Sequence, residues 1–202
     1  VGLSVAACQT TQSVQTQPAT AELPPVQERR AVLGEQYVFL DGKGRERIGK
    51  ITAVSDQYVE GSSKRADQEV ACEWKRKRNT FAPDAAWKNC AGGSGTQTSK
   101  RLGGSMFPLQ VGSAESWEYS GTNNNGDSWS STRNCKVVGT AGLTVPAGTF
   151  DTYHVRCEDR WWVREWFVRE DGVSIAFYRT RKTGAQDRNM KREMVSHTAI
   201  SG

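Results

Sequence analysis

Five cysteines and two histidines carry the most reactive side chains of this 202-residue chain. His154 precedes Cys157 by three residues, and on a β-strand residues three apart point to opposite faces, so a Cys–His catalytic dyad is geometrically poor here. His197 lies far away in sequence, and no motif links it to a cysteine. No Cys-x-x-Cys occurs, and two histidines are few for a metal site. We therefore expect no catalytic residue and no metal ligand.

Two further catalytic motifs are missing from the sequence. No Gly-x-Ser-x-Gly of a nucleophile elbow occurs. The run Gly92-Gly93-Ser94-Gly95 lacks the following Lys and Ser or Thr of a phosphate-binding loop. The sequence therefore predicts a protein that is not an enzyme and uses no cofactor.

Cys8 differs from the other cysteines because it ends a short run of small apolar residues. The segment Leu3-Ser4-Val5-Ala6-Ala7-Cys8 resembles the lipobox of bacterial lipoproteins. The resemblance implies cleavage before Cys8, a diacylglycerol on its thiol and a third acyl chain on its new amine. Each buried methylene contributes about 0.8 kcal/mol, so two or three chains anchor a protein firmly. An unmodified cysteine in a small-residue stretch is the alternative.

The residue after Cys8 indicates which of the two bacterial membranes the lipid anchor would occupy. Enterobacterial lipoproteins retained in the inner membrane carry Asp at this position, whereas this chain carries Gln9. The resemblance therefore implies the bacterial cell envelope as the location, at the outer membrane and facing the periplasm.

The sequence beyond Cys8 predicts a tether followed by one folded domain. Residues 9–30 are mostly Gln, Thr, Ser, Ala and Pro, a composition that cannot offset the entropy of ordering. We divide the chain into a signal-peptide remnant at 1–7, a lipid-anchored flexible linker at 8–33 and a β domain at 34–202.

Short β-rich runs alternate with turn residues from residue 34 onward. The predicted strands cover 35–41, 46–55, 57–62, 68–78, 86–90, 114–120, 128–139, 149–158, 160–169, 173–182 and 188–198. Strands at this spacing, without helical periodicity, predict an all-β fold: an antiparallel meander forming a curved sheet or half-open barrel. The stretch 88–104 contains several Gly and Ser residues and is predicted to be a long loop.

The four remaining cysteines predict two disulfides that brace this fold, since an exported chain can oxidise them. Four cysteines allow three pairings, and strand geometry favours one. Cys135 and Cys157 lie at nearly equal distances from the turn at 146–148, and Cys72 and Cys90 flank a turn at 81–84. We predict Cys72–Cys90 and Cys135–Cys157, each contributing about 3 kcal/mol. Buried reduced thiols and a metal site are the alternatives.

The stretch 159–172, Asp-Arg-Trp-Trp-Val-Arg-Glu-Trp-Phe-Val-Arg-Glu-Asp-Gly, combines large aromatic residues with arginines. As a strand it places Arg160, Trp162, Arg164 and Trp166 on one face. These four residues predict a ligand-binding mouth, in which the two tryptophans hold the apolar part of an amphipathic ligand and the two arginines its anionic head. The alternative is a core strand whose outer face is shielded by arginine stems.

Two further motifs carry a second resemblance. Phe107-Pro-Leu-Gln-Val-Gly112 and Val145-Pro-Ala-Gly-Thr-Phe-Asp151 are similar to motifs that recur in exported bacterial β-proteins of unknown function. The resemblance covers roughly residues 102–195. It implies a curved antiparallel sheet or half-barrel and an exported compartment, and it brings no catalytic residue.

The net charge of +5 and the pI near 9.0 favour anionic partners. The basic run Lys75-Arg-Lys-Arg78 is not one dense patch, because alternate residues of a strand point apart, and we interpret it as a solvated edge strand with charged gatekeepers. The predicted partners are the membrane, through the lipid anchor, and an envelope protein, an anionic wall polymer or an amphiphilic ligand, but no nucleic acid.

These observations favour an envelope lipoprotein with a non-enzymatic binding or assembly role at the membrane surface. One alternative is a carrier of a lipid or amphiphilic ligand in a β half-barrel. The other is a hydrolase acting on envelope polymers.

Overall fold

The computed structural model describes residues 14–90, 93–184 and 189–199, so Cys8 and the predicted signal-peptide remnant at 1–7 lie outside the described residues. Within them, twelve antiparallel strands form one closed barrel. They are β1 (Gln36–Asp41), β2 (Glu46–Val54), β3 (Tyr58–Lys64), β4 (Cys72–Lys77), β5 (Ala85–Cys90), β6 (Gly93–Ser105), β7 (Ala114–Asn123), β8 (Ser128–Val145), β9 (Gly148–Glu158), β10 (Trp162–Val168), β11 (Ser174–Arg181) and β12 (Met190–Thr198). The all-β antiparallel meander is confirmed.

The barrel is closed rather than half-open. Each strand pairs with its sequence neighbours, and β1 also pairs with β12, from Gln36 opposite Thr198 to Asp41 opposite Arg192. This last ladder satisfies the backbone groups that two edge strands would otherwise expose. Sequence periodicity does not show it, because the paired strands lie at opposite ends of the domain.

The predicted loop at 88–104 is wrong, because β6 occupies most of it and pairs with β7 from Gly95 to Ser105. The glycines of this segment allow close packing within a strand and do not mark a loop. The ring of Trp87 lies over Gly95, where a Cβ would stand 2.5 Å from Trp87 Cζ2. Glycine is therefore needed at this position for close aromatic packing inside a strand.

Side chains that meet across non-neighbouring strands identify the inner face of the barrel. The Tyr119 hydroxyl on β7 donates to Asp159, which follows β9, at 2.8 Å. Phe81, in the β4–β5 loop, packs edge-on against Trp166 of β10 with ring centroids 5.4 Å apart. From Ser128 to Lys136, the alternate positions of β8 point outward and are polar and exposed, for example Thr132.

One end of the barrel is filled by three segments and is here named the closed end. Val26, Phe81, Met106 and Leu109 are buried there and belong to one apolar cluster. Val26 and Leu109 exchange backbone hydrogen bonds of 3.0 and 2.7 Å. The opposite end, named the mouth end, carries the turns at 42–45, 65–71, 124–127 and 159–161, in which no described apolar side chain is buried.

Residues 14–33, within the predicted linker, lie against the barrel in this structure. Gln17 and Gly142 exchange backbone hydrogen bonds of 2.9 and 2.8 Å. The Thr20 amide donates to Asp151 Oδ1 at 2.9 Å. These contacts and the burial of Val26 fix the course of the chain toward the closed end.

Both predicted disulfides are confirmed, Cys72–Cys90 and Cys135–Cys157. Cys135 stands directly opposite Cys157 in the β8–β9 register, with the Cα atoms 4.0 Å apart. His154 points to the other face of β9, where it stacks on Phe167 at 4.6 Å and contacts Glu165 at 2.9 Å. The predicted separation of His154 from Cys157 is therefore observed.

Candidate ligand-binding site

Three of the four predicted ligand-binding residues share the inner face of β10. Trp162, Arg164 and Trp166 alternate along this strand. Arg160 lies in the turn before β10, is exposed, and places its guanidinium 5.6 Å from the centre of the Trp161 ring. Trp162, Arg164 and Trp166 therefore lie together on one strand face, whereas Arg160 lies apart from them at the mouth end.

The three inward residues of β10 have different surroundings. Trp166 is 8% exposed and packs against Phe81 and Phe177 in the core. Arg164 forms an ion pair with the buried Asp159. Trp162 is half-buried beneath two guanidinium groups, those of Arg179 at 4.4 Å and Arg181 at 5.6 Å. Trp166 thus has the contacts of a core residue, whereas Trp162 lies among cations near the mouth end.

A second group of inward arginines was not singled out from the sequence. Arg47 on β2, Arg76 on β4 and Arg192 on β12 interact electrostatically across the barrel interior, and we name them the lumen arginine cluster. Because up to three strands separate β4 from β12 along the wall, such proximity requires all three side chains to point inward. No carboxylate in the described part of the chain lies within 4.0 Å of any of them. Arg47 donates only to Ser63 at 3.4 Å and Arg76 to Thr80 at 3.0 Å.

The lumen arginine cluster is electrostatically unfavourable in the absence of an anion. Burial, with repulsion from Arg47 and Arg76, lowers the pKa of Arg192 to about 10. Burial also lowers the pKa of Arg76, and burial with the nearby Arg65 lowers that of Arg47. All three remain cations at neutral pH, and the carboxylates of Asp41 and Asp67, which act on Arg47 from more than 4.0 Å, offset only part of this positive charge.

Arg76 is the most exposed member of this cluster. Arg76 is enclosed deeply enough for burial to lower its pKa, yet its side chain keeps solvent-exposed surface. The Arg76 guanidinium lies 4.9 Å from the centre of the Trp74 ring, so the barrel wall there combines charge with an aromatic surface.

Another polar network lies inside the barrel around Asp159. Burial would raise the pKa of Asp159, but the charge of Arg164 and hydrogen bonds from the Trp161 amide and Tyr119 outweigh it and hold the pKa below its usual value. Burial and the Asp159 charge raise the pKa of Tyr119 to about 12. Burial and the nearby Arg164 lower the pKa of Arg133 to about 9. This network is internally paired and makes a poorer anion site than the lumen arginine cluster.

Two buried donors near this network have no hydrogen-bond partner among the described residues, Arg133 Nε and Trp117 Nε1. Buried polar groups are normally paired with protein or water. These two atoms therefore mark interior positions where water or a ligand atom would be stabilised.

The interpretation of Lys75 to Arg78 as an edge strand is wrong, because β4 pairs with β3 and β5 on its two sides. Lys75 points outward to Glu60 at 2.9 Å, while Arg76 points inward. Strand parity was the available signal, because it places Trp74 and Arg76 together on the face opposite to that of Lys75.

Comparison with protein-family models, curated proteins and solved structures finds no match. Within the described ranges, no group of three His, Cys, Asp or Glu residues is placed to hold a metal ion. Among the same residues, no helix has the length and apolar character needed to cross a bilayer.

Proposed function

We propose that this protein is a non-enzymatic binding protein of the bacterial cell envelope, and that its barrel takes up an anionic, amphipathic molecule. The observation that carries the proposal is the lumen arginine cluster. Three inward cations without a carboxylate partner in the described chain are stabilised by an anion placed between them. A ligand with one strongly anionic group, such as a phosphate, matches guanidinium donors in both charge and geometry.

The walls beside the cluster suit an apolar ligand segment. Ile51, four residues from Arg47 on β2, and Met194, two residues from Arg192 on β12, are each 1% exposed. Phe39 stands opposite both Arg47 and Met194 in the strand registers. Trp74 adds an aromatic surface under Arg76. Binding sites commonly join apolar walls to a few charged groups in this way, which favours an amphiphile over a simple ion.

Two observations support the envelope location. The lipobox resemblance at Cys8 implies export and acylation. The disulfides Cys72–Cys90 and Cys135–Cys157 form and persist in oxidising compartments. Both agree with a carrier or binding role beside a membrane that contains anionic amphiphiles.

Calorimetric titration of the full chain with dodecyl phosphate tests the proposal. We expect saturable binding, and we expect dodecyl maltoside, which has the same alkyl chain and no charge, to bind at least tenfold more weakly. Arg76→Gln and Arg192→Gln should each weaken dodecyl phosphate binding about tenfold, which corresponds to about 1.4 kcal/mol.

Lys136→Gln is the matched control, because it removes the same charge from an exposed outward position of β8. Its affinity should equal that of the unmodified protein. Equal binding of the two amphiphiles, or equal weakening by Lys136→Gln and Arg76→Gln, would rule the lumen site out.

A further inference from the structure

The outer face of three strands near the mouth end forms a cavity of about 600 Å³, separate from the lumen. Most of its lining side chains carry hydroxyl groups. We name it the hydroxyl groove, and its lining includes Thr96, Thr98, Ser120, Thr122, Ser128 and Ser130, together with Arg160 and Trp161.

The six hydroxyl residues form a regular array. The strand registers align Thr96, Thr122 and Ser128 in one row, and Thr98, Ser120 and Ser130 in the next. Neighbouring strands lie about 4.8 Å apart, and successive outward residues of one strand about 6.7 Å apart. None of these six side chains makes a hydrogen bond to another described residue, so each offers a donor and an acceptor to a ligand.

An interruption of the strand ladder places Trp161 beside this array. The β8–β9 pairing begins at Asn134 opposite Glu158, so residues 128–133 of β8 have β7 on one side only. The turn at 159–161 lies along this free edge, where the Arg160 amide donates to Ser131 Oγ at 3.2 Å. The Trp161 backbone is fixed by its amide to Asp159 Oδ1 at 2.9 Å and by its carbonyl to the Lys182 amide at 2.9 Å.

We propose that the hydroxyl groove binds a saccharide chain. The half-exposed Trp161 ring offers an apolar surface on which the C–H face of a sugar ring can pack, while the hydroxyl array exchanges hydrogen bonds with sugar hydroxyls. Arg160, beside Trp161, donates to a hydroxyl or to the carboxylate of an acidic sugar. This site is independent of the anion site inside the barrel.

The groove fits a chain of several sugars rather than one. A second open cavity, of about 840 Å³, shares Thr96 and Thr122 with the first and continues over β3 to β6. Its lining carries charges of both signs, among them Glu73, Lys75 and Lys88. A continuous path of this kind accommodates an extended polymer.

Titration of the full chain with chitohexaose, a neutral oligosaccharide, and with hexagalacturonate, an acidic one, tests the proposal by calorimetry and by the indole N–H signals in NMR spectra. Saturable binding of at least one is expected. Trp161→Ala and the isosteric pair Thr98→Val with Thr122→Val should each weaken it at least tenfold. Tighter binding of hexagalacturonate that is lost in Arg160→Gln would assign an acidic glycan, and equal binding a neutral one.

Two variants serve as controls. Thr132→Val removes an outward hydroxyl of β8 that lies outside the groove, and Lys136→Gln removes an outward charge of the same strand that lines neither cavity; both should bind the saccharide normally. The proposal is wrong if neither oligosaccharide binds up to about 1 mM, or if Thr132→Val weakens binding as much as the groove variants do.

Discussion

Arg192 shows at a single residue how stability and binding oppose each other inside this barrel. Burial and neighbouring cations lower its pKa to about 10, so the folded state holds this proton less tightly than the unfolded state does. The charge therefore opposes folding at neutral pH, and the penalty fades as the pH rises through about 10 toward the ordinary arginine value.

Replacing Arg192 by Met should stabilise the ligand-free protein. We expect a gain of about 1 kcal/mol in the free energy of unfolding at pH 7, since an apolar side chain of similar length removes an unpaired inward charge. Urea unfolding followed by tryptophan fluorescence measures it. Lys136→Met, on the outer face, should change stability by less than about 0.5 kcal/mol. A loss of stability in Arg192→Met would contradict the argument.

Glu35 is the opposite case, a buried charge that is fully paired. It is 0% exposed, and its carboxylate contacts Arg29, His197 and the Val32 amide. Burial would raise its pKa, but the hydrogen bonds from Arg29 and His197 outweigh it and leave the pKa below its usual value. A glutamate with a lowered folded pKa adds stability above its unfolded pKa and loses it as the pH falls through the folded value.

Glu35→Gln should therefore destabilise the protein by about 3 kcal/mol at pH 7, because it leaves the half-buried Arg29 without its counter-charge. The difference from the unmodified protein should shrink as the pH falls below about 4. Glu158→Gln, which breaks only half-exposed ion pairs, should cost less than about 1 kcal/mol. Urea titrations at several pH values measure both, and a pH-independent difference would contradict the assignment.

At the level of strands, three tryptophan rings of the barrel pack directly over glycines of neighbouring strands. Gly61, Gly95 and Gly121 lie under Trp74, Trp87 and Trp129, and a Cβ on any of them would collide with the ring and with a neighbouring carbonyl. The rings of Trp87 on β5 and Trp129 on β8 stack over the intervening strands β6 and β7, with their centroids 6.1 Å apart. These contacts let strongly curved strands pack closely, as glycine kinks covered by aromatic residues do in other barrels.

Gly61→Ala tests this packing directly. Its Cβ would stand 2.7 Å from both Lys50 O and Trp74 Cη2, so the strand or the ring must move, and we expect a loss of about 2 kcal/mol. Gly49→Ala is the matched control, because the nearest atom to its Cβ is an ordinary 3.8 Å away on the same inward face. Denaturation curves should separate the two variants, and equal stability would show that the glycines are not required by the tryptophans.

Local sequence signals predicted some elements and not others, for physical reasons. The strands predicted at 160–169 and 173–182 flank the local Asp171-Gly172 turn and correspond to β10 and β11, whose register places Phe177 opposite Trp166 and Ala176 opposite Phe167. Strand β6 was missed because its glycines resemble a loop when the covering tryptophans are far away in sequence. Hairpin geometry is local, whereas the packing that requires Gly95 is not.

The candidate anion site could not be predicted from the sequence, because it too depends on contacts between residues that are far apart in the chain. Arg47, Arg76 and Arg192 lie on strands far apart in the chain, and only closure of the barrel through the β1–β12 ladder brings their charges together. Parity within β4 could have shown that Arg76 points inward, but not what it would face. The aromatic stretch at 159–172 is recognisable in the sequence because its residues are contiguous. In the structure, however, its Trp166 is a core residue.

Over the whole molecule, the net charge of +5 is unevenly placed. The lumen arginine cluster, Arg133 and Arg164 put positive charge inside the barrel, while outward lysines such as Lys75 and Lys182 meet carboxylates at 2.9 and 2.8 Å. A positive interior with low-dielectric walls concentrates anions there more strongly than the same charges would on a flat surface.

The course of the N-terminal segment predicts how an acylated molecule would be oriented. Val14 and Ala147 pack against the same apolar cluster, and Ala147 lies in the β8–β9 turn at the closed end. Val14 follows Cys8 by six positions, and an extended chain of this length spans at most about 20 Å. Acylation at Cys8, which the lipobox resemblance predicts, would therefore hold the closed end near the membrane and turn the mouth end away from it.

Energy transfer from the acylated protein to acceptor-labelled lipid in vesicles measures this orientation. A fluorescent amino acid at Gln110, an exposed residue of the closed end, should transfer more efficiently than one at Asn125, an exposed residue of the mouth end. The ten-residue strand β7 separates these ends by about 30 Å, enough for a clear difference. The unacylated Cys8→Ser variant should show no transfer from either position. Stronger transfer from Asn125 would reverse the orientation and place the mouth end at the lipid surface, where the barrel could receive an amphiphile directly from the bilayer.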